Sequence, residues 1–308
     1  MRTLHLFLCM SLMLTLPEIT IAAKKEKAHI IMATYNLRYQ NKTDSLEGNG
    51  WRQRCPWIAQ LILSNDFQIF GTQEGLKQQL EDLKAMLPGY DYIGIGRSDG
   101  KTKGEHSAIF FKTDLFKLID HGDFWLSETP DRPGKGWDAA CERICTWGHF
   151  KHLPSQKEFL FFSLHMDHVG KKARLESVQL LLRKMKEQGG KLPTILVGDF
   201  NVDQYSNEYK MMTESGIFYD AYEKSAFRYA PNGTVNLFKS NGYTDSRIDH
   251  IFLPASISVK KYAILTDSYR TRPEGYNDPP IDPYKTIIRP YIIRFPSDHY
   301  PVRIEVEF

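Results

Sequence analysis

Hydrophobic positions along this chain recur with two different periods. Short apolar runs rich in β-branched and aromatic residues occupy His29–Tyr35, Phe67–Thr72, Tyr90–Ile95, Ala108–Phe111, Phe159–Leu164 and Thr194–Val197. Runs this short, set between turn-forming residues, predict strands. Between them, Trp51–Leu63, Leu76–Leu87 and Lys171–Lys186 carry apolar residues three and four apart with charged faces. The second and third of these end near Pro88-Gly89 and Gly189-Gly190, so the pattern predicts helices. Toward the C-terminus the period becomes two over Ile248–Leu253, Ile257–Leu265 and Val302–Phe308, which predicts half-buried strands. The class is α/β with much antiparallel pairing. Two long stretches, 127–146 and 266–297, follow neither period. Loops this long in a compact domain are functional or disordered, and the aromatic and arginine content here favours function.

The first residues change the picture of the chain's destination. Arg2 is followed by an apolar stretch from Leu4 to Leu16, then by small residues at Ala22-Ala23 and the charged Lys24-Lys25-Glu26-Lys27. A stretch this short does not span a bilayer, where roughly 20 residues are needed, and the order of segments is that of a secretory signal. Residues 1–23 are therefore expected to be a cleaved signal peptide and residues 24–308 one domain, secreted or periplasmic, with no stable membrane span after leader removal. Cys55, Cys141 and Cys145 remain in the mature part, so at most one intramolecular disulfide forms. They lack neighbouring histidines at zinc-ligand spacing and read as structural. With 40 basic and 37 acidic residues the net charge is +3, a balance that leaves no electrostatic footprint for nucleic acid or an anionic membrane. No repeat or heptad run is present, which sets aside solenoids and coiled coils.

The candidate chemistry lies where strands end. His29–Tyr35 leads to Asn36, the run after Phe67 to Glu74, Phe159–Leu164 to His165, and Thr194–Val197 through Gly198 to Asp199. In α/β sheets ligands collect at the carboxyl ends of strands, so side-by-side strands of one sense would bring an amide, a carboxylate, an imidazole and an acid to one rim. Phosphate-ester hydrolysis needs those types together: oxygen ligands for a hard cation, and groups that orient water and protect the leaving oxygen. Asp199 and Asn201, two apart, would face one phosphate if Gly198 makes a tight turn.

The ordered motifs Thr34-Tyr35-Asn36-Leu37-Arg38, Gln73-Glu74-Gly75, Leu164-His165-Met166-Asp167-His168, Gly198-Asp199-Phe200-Asn201, Arg247-Ile248-Asp249-His250-Ile251 and Ser297-Asp298-His299-Tyr300-Pro301-Val302 resemble those of the endonuclease/exonuclease/phosphatase superfamily. The resemblance runs from about Ile30 to the end of the chain. It implies a four-layered α/β/β/α sandwich with two packed mixed β-sheets. It also implies Mg²⁺, or Mn²⁺, held by Glu74 with Asn36 and Asp298 completing or supporting the shell. Asp199 would orient water and Asn201 hold a phosphate oxygen. From the deoxyribonuclease branch it implies Glu105 as the partner of His165 and Asp249 as the partner of His299, with Asp298 as a rival. Which histidine serves as base and which as acid stays open.

Two departures bear on substrate. The Asn-x-Arg form at Asn36–Arg38 resembles the deoxyribonuclease branch rather than the abasic-site endonucleases, yet Gly75 stands where that branch carries a side chain that engages DNA. The segments Phe124–Pro130 and Gly136–Ala140 resemble a secreted bacterial subgroup. The leading expectation is a metal-dependent phosphodiesterase or nuclease, in which Trp137, Tyr276, Tyr284 and Tyr291 with Arg270, Arg272, Arg289 and Arg294 stack bases and grip phosphates. The alternative is a phosphatase or phospholipase-like hydrolase of a phosphorylated small molecule or lipid head group. The expected partner is a phosphoester, with nucleic acid among the candidates, and no protein partner is expected.

Overall fold

Two mixed β-sheets pack face to face, each covered on its outer side by helices. A computed structural model describes residues 28–190 and 192–308, so the expected signal peptide lies outside the described residues. The first sheet has seven strands in the order Phe227–Tyr229, Ser258–Ile264, Val302–Glu307, His29–Asn36, Ile69–Gln73, Ile109–Lys112 and Tyr90–Ile93. The second has six, in the order Tyr219–Asp220, Asp249–Leu253, Thr194–Asp199, Glu158–His165, Ile144–His152 and Phe116–Trp125.

Three separate apolar clusters show why the sandwich has four layers. The first lies between the sheets and joins Ile30, Met32 and Ile304 to Phe161, Ile195 and Ile251. The second places Ala33, Tyr35, Phe70 and Phe110 against Ile58, Ile62, Leu80 and Leu83 of the helices Trp51–Ser64 and Lys77–Met86. The third sets Phe162, Leu164, Leu196 and Phe252 against Val178 and Leu181 of Lys171–Gly189, and Met212 of Asn207–Thr213. Successive residues of the central strands therefore feed opposite layers, and both faces are apolar because both are covered. Among the described residues no helix is long and apolar enough to cross a membrane.

Close approach of the sheets is fixed at Gly71. A Cβ there would lie 2.5 Å from Val197 Cγ2 and 2.6 Å from Ser163 Oγ, atoms of the opposite sheet. Gly71→Ala is therefore expected to destabilise by about 1–3 kcal/mol through overpacking. A denaturant titration reads this directly, and an unchanged midpoint would show that the sheets separate freely at this point.

Candidate active site

The strand registers assemble the site. In the first sheet His29–Asn36 runs parallel to Ile69–Gln73 with Asn36 opposite Gln73, so Asn36 and Glu74 leave the sheet side by side. In the second, Asp199 is flanked in register by His165 on one strand and Asp249 on the other. Gly198 is required where Thr194–Asp199 meets its parallel neighbour, because a Cβ would lie 2.3 Å from the Leu164 carbonyl oxygen. His299 arrives just before Val302–Glu307 and is tied by an isolated bridge to Val235. Arg38, Glu74 and Asn201 have left-handed backbones, with φ of 57°, 64° and 50°. Such a conformation costs a non-glycine residue about 1–3 kcal/mol, and it turns the chain sharply as it leaves each strand.

Hydrogen bonds lock these groups together across the two sheets. Asn36 Nδ2 donates to Glu74 Oε1 and to Asp199 Oδ2, both at 3.0 Å. Glu74 Oε2 accepts from the Tyr39 backbone N–H at 3.1 Å. Asp199 Oδ1 accepts from the Asn201 N–H at 2.9 Å, while Oδ2 lies 3.4 Å from His165 Nε2 and 3.9 Å from His299 Nε2. Both histidines thus fall within direct or one-water reach of Asp199, as the sequence predicts. Asp249 Oδ2 accepts from His299 Nδ1 at 2.9 Å, so the partner is Asp249 and not the neighbouring Asp298. Asp298 faces Arg38 instead, at 3.5 Å.

The two imidazoles are held in opposite charge states. Burial drives the His165 pKa well below its usual value, and the cations Arg143 and Arg97 push the same way, so the ring is neutral. Its Nε2 accepts from Asn201 Nδ2 at 3.0 Å; that amide also donates to the Met166 carbonyl, which fixes its orientation. The His165 proton therefore sits on Nδ1. Burial also opposes charge on His299, but the carboxylates of Asp249, Asp199 and Asp298 outweigh it and hold the ring protonated well above its usual range. Asp199 itself is raised by burial and by the nearby Asp249 charge, against the pull of His299.

One expected pairing differs in the structure, and the part of Asn36 becomes specific. Glu105 does not hydrogen-bond His165: its nearest oxygen lies 3.9 Å from Nδ1, which has no partner in the protein. The reason is Arg97, which takes both Glu105 oxygens at 2.6 and 2.9 Å. Asn36 points its amide nitrogen at Glu74 and Asp199, and its Oδ1 accepts from the Arg38 N–H at 3.0 Å. It braces the carboxylates, which is the supporting side of the role expected of it. Glu74 and Asp298 remain as hard oxygen donors lining one cavity. Burial raises the Asp298 pKa, and the Glu74 charge adds to it. A divalent cation fits these carboxylates because it would offset their repulsion; Glu74, His165 and Asp199 also bring ligand atoms within 4.8 Å of one another.

The cavity, about 480 Å³, contains residues that the sequence reading did not place there: Arg97, Cys141, Arg143 and His168. Arg97 follows the strand Tyr90–Ile93 by four residues and Arg143 precedes Ile144–His152, so the rule of carboxyl strand ends that found Asn36 does not reach Arg143. Cys141 stands at the cavity wall, and the three cysteines among the described residues are free thiols. Arg143 is buried, with Nε 3.3 Å from Asp167 Oδ2 and Nη2 2.8 Å from His168 Nδ1, and its Nη1 has no partner. The aromatic and arginine loop does not join this cavity. Arg272 and Arg289 bind Asp278 at 2.7 and 2.6 Å, Arg270 packs over Tyr291, and Arg294 donates to the Glu47 carbonyl at 2.6 Å. These arginines sit away from the cavity, and the Arg272 side chain is 69% exposed.

Comparison with known proteins agrees with this arrangement. The model of the Endonuclease/Exonuclease/phosphatase family matches residues 33–299. The chain belongs to that family. Members of the endonuclease/exonuclease/phosphatase family are hydrolytic and generally divalent-metal dependent. A family protein from Bacteroides thetaiotaomicron is similar at 54% identity and a TM-score of 0.86, over 92% of this chain and 99% of that one. A mannosyl-6-phosphatase from Bacteroides thetaiotaomicron VPI-5482 is similar at 55% identity and a TM-score of 0.84, over 91% of this chain and 100% of that one. A family protein from Bacteroides vulgatus is 36% identical with a TM-score of 0.79, over 92% of this chain and 100% of that one. No curated protein sequence matches the chain significantly.

Proposed function

We propose that this chain is a Mg²⁺-dependent phosphatase that releases phosphate from a phosphorylated sugar. The observation that carries the monoester reading is Arg143, a buried guanidinium held by Asp167 and His168 with an unpaired Nη1 in a residue lining the cavity. Arg38 and Arg97 also line the cavity but are paired with Asp44, Asp298 and Glu105, so Arg143 is the guanidinium with an open donor for a dianionic phosphate. The 55% identical mannosyl-6-phosphatase supports a sugar as the leaving group. The nuclease reading draws less support from the distal arginines, none of which lines the cavity.

Glu74 and Asp298 would hold the cation, which when bound neutralises phosphate charge and polarises the P–O bond. Asp199, raised by burial and Asp249, is positioned to accept a proton from the attacking water. Asn201, whose two amide hydrogens go to His165 and Met166, orients that water through its Oδ1, and neutral His165 offers its unpaired Nδ1–H to a phosphate oxygen. Protonated His299, held by Asp249, donates to a phosphoryl oxygen as charge builds, and the sugar oxygen, released as its P–O bond breaks, takes up a proton from solvent water.

The test is phosphate release from mannose 6-phosphate, glucose 6-phosphate and p-nitrophenyl phosphate, beside bis(p-nitrophenyl) phosphate, DNA and RNA, each with Mg²⁺, Mn²⁺ or EDTA. Release from the sugar monoesters, abolished by EDTA and restored by Mg²⁺, is expected. Cleavage confined to the diesters would return the nuclease reading, and EDTA-resistant turnover would remove the cation from the scheme.

A further inference from the structure

A second cavity of about 370 Å³ is built by the continuations of two active-site loops. The loop that supplies Asp199 and Asn201 runs on to Gln204 and Tyr205, and the loop that ends at Asp249 carries Tyr243 and Asp245. These loops are tied together: Gln204 Nε2 donates to the Asp245 carbonyl and Gln204 Oε1 accepts from the Arg247 N–H, both at 3.0 Å. Arg247 lines the cavity, only 6% exposed, with its guanidinium 3.4 Å above the Tyr222 ring. Its Nη2 faces Glu223 at 3.4 Å and Asp220 at 3.7 Å, but its Nη1 is buried without a partner. A buried, unpaired N–H of this kind calls for an acceptor from a bound molecule.

We propose that this second cavity binds a neutral carbohydrate ring. Three features select that chemistry. Tyr205 and Tyr243 are 70% and 77% exposed, and such rings at a cavity offer flat apolar faces for the C–H face of a sugar, together with hydroxyls for its polar edge. Asp245, Glu223 and Asn232 are the donors and acceptors that adjacent hydroxyl groups engage in pairs, and Arg247 Nη1 supplies one more donor. Charge decides against a phosphate or acidic sugar. Glu223 and Asp220 already answer the Arg247 cation, which leaves the Asp245 carboxylate to repel an anion. The cavity thus complements the catalytic one: arginines, histidines and carboxylates line the first, while hydroxyl-binding groups and aromatic rings line the second. Because Arg247 is two residues from Asp249, a glycan bound here would sit next to the strand that holds His299.

The choice of mannose as probe rests on the phosphatase reading, but binding does not require activity. Saturation-transfer NMR on the full chain should detect methyl α-D-mannopyranoside and an α-linked mannotriose, with inorganic phosphate present to occupy the catalytic cavity. Tyr205→Ala with Tyr243→Ala, and separately Asp245→Ala, should weaken that binding about tenfold or more at an unchanged melting temperature. His299→Ala should retain it. Equal transfer in the double variant, transfer lost in His299→Ala but kept in the double variant, or no transfer from any neutral sugar would each overturn the proposal. Failure of the phosphatase reading has its own signature, namely absent phosphate release from wild-type protein while transfer still maps to Tyr205 and Tyr243.

Discussion

Asp199→Asn is expected to lower phosphate release by about 10²- to 10⁴-fold, the usual contribution of a positioned general base. The effect belongs in kcat, because an amide occupies the same space yet does not accept a proton from water. Folding should be nearly unaffected, for two opposing reasons. The carboxylate accepts from Asn36 Nδ2, and losing that hydrogen bond costs about 0.5–1.5 kcal/mol. Against this, the folded protein holds the Asp199 proton more tightly than the unfolded chain does, since burial and Asp249 raise its pKa. Ionisation therefore destabilises the fold as pH rises above the ordinary carboxyl range, and asparagine removes that burden. A melting temperature within a few degrees of wild type, measured in EDTA at neutral pH, accompanies the loss of turnover. A large drop in melting temperature with unchanged turnover per folded molecule would make Asp199 a structural residue.

Much of the sandwich was legible because its central strands are covered on both faces. His29–Asn36, Glu158–His165 and Thr194–Asp199 are nearly continuous apolar runs, and their ends fall where the sequence predicts. The strands that escaped notice are those whose inward face is not apolar. Ile144–His152 turns Thr146, Gly148, Phe150 and His152 inward, so its period of two is hidden by a threonine, a glycine and a histidine. Phe116–Trp125 is an edge strand with a register shift between Leu118 and Asp120 and a run of exposed residues at its middle. Edge strands carry such polar and irregular segments because a regular apolar edge would pair with other chains.

The site divides along the same line. Glu74, His165, Asp199, Asn201 and His299 were readable because each stands at a strand end within a motif, and register then brings them together. The Asp249–His299 pair was also found, since one antiparallel ladder puts Asp249 opposite Asp199. The Glu105–His165 pair does not form, because a guanidinium offers Glu105 two parallel hydrogen bonds where an imidazole offers one. Arg97 and Arg143 carry no local pattern that separates them from other arginines. Their significance comes from long-range neighbours such as Asp167, whose carboxylate takes backbone N–H groups of Gly170 and Ala140 as well as Arg143.

Asp249→Asn tests the charge state of His299 without touching the ring itself. In the wild type, burial works against the imidazolium and three carboxylates overcome it, Asp249 being the largest contributor and the direct hydrogen-bond partner. Removing that charge leaves burial less opposed, so the His299 pKa falls and the ring loses its proton at neutral pH. Turnover at pH 7 is then expected to drop by about 10²-fold or more, because a neutral ring no longer supplies a charged donor to the phosphoryl oxygen. The direction of the pH response follows from the same shift. His299 is protonated below its pKa, so the variant should regain activity as pH is lowered, whereas the wild type remains protonated throughout that interval. His299→Gln provides the control: it should be as slow as Asp249→Asn at neutral pH but show no acid recovery. The pH dependence of kcat for the three proteins distinguishes the outcomes. A uniform loss in Asp249→Asn with the wild-type profile would mean that Asp249 only orients the ring, and that the charge on His299 comes from Asp199 and Asp298 alone.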